Sequence, residues 1–269
     1  MTREEPSSRV LAAFGASEQP TPLAGGQETA WRSGDVVLKP LDREEAELAW
    51  QAELFDSLTG EGFRVARALR AADGSLVVDG WCASRALAGC HQDRRWADVI
   101  AVGARFHAAL ASAPRPGFLD SRTDRWAVSD RVAWGELPAD EYMHVKHVPR
   151  LFSALRPVDA RSQLIHGDLT GNVLFAPGLP PAVIDFAPYW RPPAFASAIV
   201  VADALVWEGA DENVLDTVVD TGDFPQYLLR ALIHRAVTDR LFRLDEPVRP
   251  DDADPYLPAV ELALRLAAG

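Results

Sequence analysis

The spacing of apolar residues changes about a third of the way along the chain. Before residue 80 they come in short runs between turn residues, which predicts strands, plus one amphipathic helix over 42–58 with Asp42 as its N-cap. Beyond residue 90 they recur mostly at helical spacing, starting with a buried stripe over 94–112 that contains His107, expected to be a core histidine. The pattern therefore predicts an α+β protein, β-rich first and mainly helical afterwards.

Within the first 81 residues, turn signals divide the predicted elements. A short helix over 9–14 and a proline-containing linker near residue 20 form an N-terminal extension, 1–20. A strand over 35–39 is expected to stop at Pro40, because proline cannot continue the ladder of hydrogen bonds. Residues 63–69 and 76–81 are predicted to pair as a hairpin around Asp73-Gly74, since Asp-Gly strongly favours tight turns.

The second part of the chain combines helices with a few short strands. Residues 113–140 show no clear periodicity and are predicted to be irregular, with one short helical turn at most. The predicted helices are 144–155, 194–208, 212–219, 227–243 and 258–268, and the predicted strands are 163–165, 173–175 and 182–186. We therefore predict two lobes, 1–81 for nucleotide binding and 82–269 for catalysis and substrate binding, with ligands in the cleft between them.

Composition and charge exclude several classes of partner. The 269 residues carry a formal net charge of −12, which disfavours attraction to nucleic acid or to an anionic membrane. The most apolar stretch, 195–207, is interrupted by Asp203, and the charged amino terminus lacks a secretory apolar core. Cys82 and Cys90 have no spacing typical of a disulfide framework or a zinc site. We therefore predict a cytoplasmic protein without nucleic-acid or membrane partners; the sequence does not indicate its oligomeric state.

One segment of the second part carries residues suited to phosphoryl transfer. Its two pieces are His166-Gly167-Asp168-Leu169-Thr170-Gly171-Asn172 and, shortly afterwards, Val183-Ile184-Asp185-Phe186. Transfer of a phosphoryl group to a hydroxyl needs a carboxylate at the attacking oxygen and hard oxygen ligands for Mg²⁺. Asp168 is the candidate catalytic base, and Asn172 and Asp185 are the candidate Mg²⁺ ligands.

The first part offers complementary groups for the phosphates of ATP. Lys39, one of the few lysines of the chain, ends the predicted strand and can place a point charge on the α and β phosphates. Gly25-Gly26 lacks side chains that would keep a phosphate from backbone N–H groups. Of the glutamates on the helix over 42–58, Glu47 is the one expected to pair with Lys39, because its helix face should point toward the sheet.

With these motifs, the sequence resembles the aminoglycoside phosphotransferase and choline kinase branch of the protein-kinase-like superfamily. The likeness rests on His166 to Leu169 with Asn172, and on Ile184 to Phe186, and it extends by pattern over about residues 20–265. It implies a two-lobed protein-kinase-like fold and ATP- and Mg-dependent phosphorylation of a hydroxyl on a small molecule, such as an aminoglycoside, a sugar or an amino alcohol. A cationic acceptor is one of the options. It also implies that Asp203 braces the catalytic loop.

The sequence departs from the family pattern at two positions, and these keep other functions open. The family usually has four residues between the base and the asparagine, whereas here only Leu169, Thr170 and Gly171 intervene, so Gly171 is expected to permit a tighter turn. Ala187 stands where protein kinases have glycine. A catalytically impaired nucleotide-binding pseudokinase and a kinase-fold transferase of AMP remain alternatives. The segment 188–193 is expected either to shape the substrate pocket or to pack under the loop.

Overall fold

The computed structural model describes residues 4–23, 29–218, 222–243 and 254–269. The chain divides into two compact units, one comprising Met1–His91 with Val173–Asp185 and the other Gln92–Asn172 with Phe186–Gly269. Within the described ranges, no helix is both long and apolar enough to cross a membrane.

Most strands belong to the first unit and most helices to the second. The α-helices are α1 (Ser8–Ala13), α2 (Glu45–Ser57), α3 (Trp96–Leu110), α4 (Arg125–Ala133), α5 (Val148–Ser153), α6 (Pro193–Val206), α7 (Phe224–Phe242) and α8 (Leu257–Ala268). The strands are β1 (Thr21–Pro22), β2 (Trp31–Ser33), β3 (Val36–Pro40), β4 (Arg64–Val65), β5 (Ala68–Leu69), β6 (Val77–Val78), β7 (Trp81–Arg85), β8 (Gln163–His166), β9 (Val173–Leu174), β10 (Ala182–Val183) and β11 (Pro188–Arg191). The predicted α+β class is confirmed, with a β-rich first unit and a mainly helical second unit.

An antiparallel sheet forms the centre of the first unit. Its strands follow the order β1-β2-β3-β7-β5, and β6 also pairs with β7. Strand β3 was predicted to stop before Pro40. In the structure, Pro40 is the last residue of β3 and lies opposite Trp81 in β7. Helix α1, predicted as part of an extension, contributes Val10 to the apolar core of the sheet, and its C-cap residue Phe14 belongs to the same core. The predicted boundary at residues 81 and 82 falls inside β7, but the division of function between two lobes stays a prediction.

The predicted hairpin is wrong in its pairing. Strands β5 and β6 both pair with β7 rather than with each other. A turn does form at Asp73-Gly74, but the tight two-residue hairpin is Asp79-Gly80, with φ of 50° and 77°. Positive φ at both central residues is what a type I′ turn requires. The chain contains the Asp-Gly signal twice, and the sequence pattern did not distinguish the two turns.

Two further elements of the first unit differ from prediction. Helix α2 begins at Glu45 with Glu44 at its N-cap, so the expected cap by Asp42 is wrong; the Asp42 carboxylate accepts a hydrogen bond from Arg43 instead. A small sheet has the order β4-β10-β9, with β10 parallel to β4 and antiparallel to β9. Strand β10 stops at Val183, short of the predicted end at residue 186.

The second unit packs helices around the antiparallel pair of β8 and β11. Helix α7 is buried over most of its length and contacts α4, α5, α6 and α8. Helix α4 lies in the segment predicted to be irregular; its N-cap Asp124, which accepts a hydrogen bond from the Ala127 N–H, is the signal that marks it. Helix α5 is shorter than predicted, and Glu212–Thr217 forms a 3-10 helix rather than an α-helix.

Candidate active site

The histidine of the motif anchors the loop that carries Asp168. His166 ends β8 and is fully buried. Its Nδ1 accepts hydrogen bonds from the N–H groups of Asp168 at 3.1 Å and Ala187 at 3.4 Å. The Gly167 N–H donates to the Ala187 carbonyl at 2.9 Å, which continues the pairing of β8 with β11. The backbone on both sides of Gly167 is therefore fixed to buried structure.

A second buried histidine supports the first. His107 of α3 accepts a hydrogen bond from the backbone N–H of His166 at its Nε2, at 3.0 Å. Burial, and secondly the neighbouring His166, lower the pKa of His107 to about 3. The imidazole is thus neutral near pH 7 and can serve as an acceptor. The prediction of a satisfied core histidine is confirmed.

The glycine of the motif is required by an aromatic ring. A Cβ at Gly167 would lie 2.1 Å from Cδ2 of Tyr189, far inside van der Waals contact. Tyr189 belongs to β11 and is buried. Of the two alternatives for the segment 188–193, packing under the loop therefore holds for Tyr189.

The short connection from Asp168 to Asn172 closes as a tight turn. The Asn172 N–H donates to the Leu169 carbonyl at 3.0 Å, and Gly171 has φ of 78°. Positive φ at the third residue is typical of a type II turn, so the expected role of Gly171 is confirmed. Nδ2 of Asn172 donates to the backbone carbonyl of Asp168 at 2.8 Å and lies 3.4 Å from Asp168 Oδ2. The asparagine side chain therefore folds back onto Asp168 although the loop is one residue short.

Asp168 is held by an arginine that sequence reasoning missed. Nη2 of Arg235, on α7, donates to Asp168 Oδ1 at 2.7 Å. The same guanidinium binds Asp203 of α6, through Nε at 2.7 Å and Nη2 at 2.6 Å. The side chain of Asp203 is 3% exposed and that of Asp168 is 40% exposed, so only Asp168 is accessible to a ligand. Asp203 thus acts on the loop through Arg235.

The buried guanidinium remains charged. Burial alone would lower the pKa of Arg235, but the carboxylates of Asp203 and Asp168 outweigh that effect and raise it. A signal for this residue was present in the sequence. Arg235 lies with Arg230 and His234 among the apolar residues of 228–237, and a charged residue buried in such a segment needs a partner.

The first unit brings together two other predicted site residues. Nζ of Lys39, on β3, forms an ion pair with Oδ1 of Asp185, which follows β10. Asp185 has φ of 50°, a left-handed conformation that few residues other than glycine adopt. Its side chain is 46% exposed and that of Lys39 is 30% exposed, so both are accessible.

Two further groups predicted to support nucleotide binding remain predictions. Oε1 of Glu47 lies 3.9 Å from Nη1 of Arg43, four residues earlier in the chain, and a pairing with Lys39 stays a prediction. Gly25 and Gly26 lie outside the described residues. Over the described part of the chain, no three His, Cys, Asp or Glu side chains form a cluster that could hold a metal ion.

Comparison with known proteins identifies the family. Residues 20–212, more than half of the chain, match the phosphotransferase enzyme family (APH). The chain belongs to this family. A search of curated proteins finds no significant match to this chain.

Solved structures with the same fold include several aminoglycoside phosphotransferases. An enzyme from Alicyclobacillus acidocaldarius is 14% identical, with a TM-score of 0.66 over 100% of this chain and 96% of that one. The spectinomycin phosphotransferase APH(9)-Ia, solved with ADP and spectinomycin, is 12% identical, with a TM-score of 0.59 over 97% and 96%. A thermostable mutant of APH(4)-Ia is 14% identical, with a TM-score of 0.61 over 96% and 98%. The predicted protein-kinase-like fold is confirmed.

Proposed function

We propose that this phosphotransferase moves the γ-phosphoryl group of ATP, with Mg²⁺, to a hydroxyl of a small molecule, and that Asp168 is its catalytic base. The observation that carries the proposal is the closed turn from Asp168 to Asn172. A loop one residue short was the main reason to consider an impaired enzyme. The turn nevertheless returns the Asn172 side chain to Asp168, with 2.8 Å from its Nδ2 to the Asp168 carbonyl.

Asp168 has the surroundings that a general base for phosphoryl transfer needs. Arg235 occupies its Oδ1, while Oδ2 has, among the described residues, only the distant contact of 3.4 Å from Asn172. A hydroxyl donor therefore has an acceptor oxygen available on a carboxylate whose orientation is fixed from the other side. Positioning of this kind, rather than covalent chemistry, accounts for most catalysis of phosphoryl transfer.

The side chains proposed for Mg²⁺ have suitable chemistry. Mg²⁺ binds oxygen ligands and usually takes one or two protein groups, completing its shell with phosphate oxygens and waters. Asp185 supplies a carboxylate whose side chain is 46% exposed, so a cation can reach it. Asn172 uses Nδ2 for its hydrogen bonds to Asp168, so its Oδ1 is the atom left for a cation. When bound, the ion would neutralise charge on the phosphates.

Lys39 is the proposed phosphate-binding cation. In the structure its ammonium is paired with Asp185, and this ion pair would exchange for contacts to the nucleotide and the metal on ATP binding. Glu47 and the Gly25-Gly26 turn are proposed to support nucleotide binding, as the sequence predicts.

The acceptor is proposed to be a small hydroxylated molecule. Structural relatives are solved with spectinomycin and ADP, and with hygromycin B and AMP-PNP. These ligands belong to those proteins, and at 12% and 14% identity the likeness shows the fold only. The proposal for this chain is therefore the class of reaction and not a particular antibiotic.

The decisive experiment is an ATP-consumption screen over aminoglycosides, amino alcohols and sugars, with products identified by mass. We expect one acceptor class to gain a phosphoryl group, with turnover lost in Asp168→Ala and strongly reduced in Asn172→Ala and Asp185→Ala. Asp216→Ala, which changes a carboxylate on the 3-10 helix Glu212–Thr217, serves as the matched control and should keep full turnover. Full activity of Asp168→Ala would refute the assignment of the base.

The same screen separates the alternatives. A product that gains AMP instead of phosphate would identify a nucleotidyl transferase. Binding of ATP without metal-dependent turnover of any acceptor would identify a pseudokinase. Tighter binding of ATP in the presence of Mg²⁺ is expected for the proposed enzyme.

A further inference from the structure

A polar cavity of about 220 Å³ lies within the second unit. Its walls come from the 3-10 turn Gly117–Asp120, from helix α4 and from strand β11. A cavity of this size and polarity can hold water or a compact polar solute. It is smaller than the roughly 300 Å³ or more that is typical of sites for drug-sized ligands. A nucleotide would not be enclosed here.

Four arginines line this cavity, and three of them are neutralised by carboxylates. Arg191 hydrogen-bonds Asp130, with 2.6 Å from Nη2 to Oδ2, and also pairs with Glu136. Arg115 makes a two-point contact to Asp120, at 2.6 and 2.8 Å. Arg122 pairs with Asp124, 2.8 Å from Nε to Oδ2. These three guanidinium groups are committed to partners within the protein.

Arg131 of α4 differs from the other three. Its Nη2 donates to the backbone carbonyl of Arg122 at 2.8 Å, and its Nε is buried without an acceptor among the described residues. Nor does it form an ion pair with a carboxylate of those residues. The positive charge of Arg131 also acts on Asp120. The hydrogen bonds from Arg115 are the main cause that lowers the pKa of Asp120, and the charge of Arg131 lowers it further. A guanidinium has five N–H donors, so most of the donors of Arg131 have no acceptor in the described part of the chain.

We propose that this cavity binds a small molecule through a carboxylate or phosphate group, with Arg131 as the cation that receives it. The planar guanidinium matches the two oxygens of either group, and the resulting hydrogen bonds are charge-assisted. The ion pair of Arg191 with the buried Asp130 provides a rigid wall. The volume of the site suits a compact anionic group.

The proposed anion site is separate from the residues proposed for catalysis. None of Lys39, Asp168, Asn172 and Asp185 lines the cavity. The two regions share one element, because β11 contributes Tyr189 to the cavity wall and the ring of Tyr189 packs against Gly167. The inference therefore goes beyond the proposed function and is tested independently of it.

The test is a titration of the full chain with inorganic phosphate and, separately, with malonate, at constant ionic strength. Binding is followed by calorimetry and by the NMR signal of the Trp190 indole, which lines the cavity. We expect saturable binding of at least one anion, weakened about tenfold or more in Arg131→Gln because a charge-assisted hydrogen bond is lost. A preference for phosphate or for malonate then identifies the anionic group.

Two controls define the site. Arg265→Gln makes the same change of charge at an exposed arginine paired with Glu212, and Asp168→Ala alters the catalytic loop; both should bind the anion as the wild type does. Ser162→Trp fills the cavity without changing charge and should abolish binding, which keeps the test decisive even if Arg131→Gln fails to fold. No saturable binding to the wild type, or unchanged binding in Arg131→Gln or in Ser162→Trp, would overturn the proposal.

Discussion

Arg235 binds Asp168 and Asp203 with one guanidinium group: Nη2 lies 2.7 Å from Asp168 Oδ1 and 2.6 Å from Asp203 Oδ2. The arginine therefore connects a buried carboxylate to the accessible one. The family likeness predicts that Asp203 braces the catalytic loop. In the structure, Arg235 is the cation that links Asp203 to Asp168 of that loop. A buried charge needs hydrogen-bonded partners, and Arg235 is shared by both carboxylates.

Arg235→Met should destabilise the fold and impair phosphoryl transfer. The substitution leaves Asp203 buried without its cation, and breaking a buried pair in this way costs about 3–5 kcal/mol. The free energy of unfolding by urea is the measurement. Arg243→Met, at the end of the same helix, removes an arginine paired with Asp239 at the surface and should cost less than about 1 kcal/mol.

The double variant Asp203→Leu with Arg235→Met separates stability from positioning. Removing both charges avoids the unpaired carboxylate, so we expect most of the lost stability to return. Transfer should stay impaired, because Asp168 still lacks its hydrogen bond from Arg235. Recovery of both stability and kcat would contradict a positioning role for Arg235.

Gly167→Ala should be destabilising because the new Cβ would meet the ring of Tyr189. The new methyl group would lie 2.1 Å from Cδ2 of the ring, which forces the strand or the loop to move. Overpacking of this kind typically costs about 1–3 kcal/mol. In a Tyr189→Ala background the same substitution should cost little, and thermal unfolding of the four proteins measures the coupling. An equal cost in both backgrounds would show that Tyr189 is not the reason for the glycine.

Gly171→Ala should be destabilising for a different reason. Apart from its two neighbours in the chain, no atom of the described residues lies within 4 Å of a Cβ at this position, so the φ of 78° is what opposes the substitution. A left-handed conformation costs a residue with a side chain about 1–2 kcal/mol. Gly117 is equally uncrowded but is not in the left-handed region, so Gly117→Ala is the control and should be close to neutral. Equal unfolding free energies for the two variants would contradict the role of the turn.

The elements with strong local signals could be predicted, and those defined by distant contacts could not. Alternating and helical patterns were sufficient to predict β3, α3 and α7. The pairing of β5 with β7 depends on which of two Asp-Gly turns forms the tight hairpin, and the local pattern is the same at both. The partner of Asp168 is 67 residues away in sequence, so no spacing rule within the motif identifies Arg235.

Two buried histidines, His107 and His234, make the stability of the fold depend on pH in a predictable direction. Burial lowers the pKa of His107 to about 3, and burial also lowers the pKa of His234, which is fully buried in α7. A histidine in the unfolded chain binds a proton near pH 6.5, about its ordinary pKa. Since the unfolded chain then binds more protons than the folded one, stability contributed by these groups is complete above about pH 6.5 and declines as the pH falls toward 3.

His107→Gln should reduce this loss of stability in acid. The glutamine amide oxygen can accept the hydrogen bond from the His166 N–H and does not titrate, so the contribution of His107 to the pH dependence disappears. Its contribution in the wild type is at most about 1.4 kcal/mol per pH unit between pH 6.5 and 3. Urea unfolding at several pH values measures the slopes. The contribution of His234 stays in both proteins, so the slope should become smaller without vanishing, and identical slopes would mean that His107 is not a neutral buried acceptor.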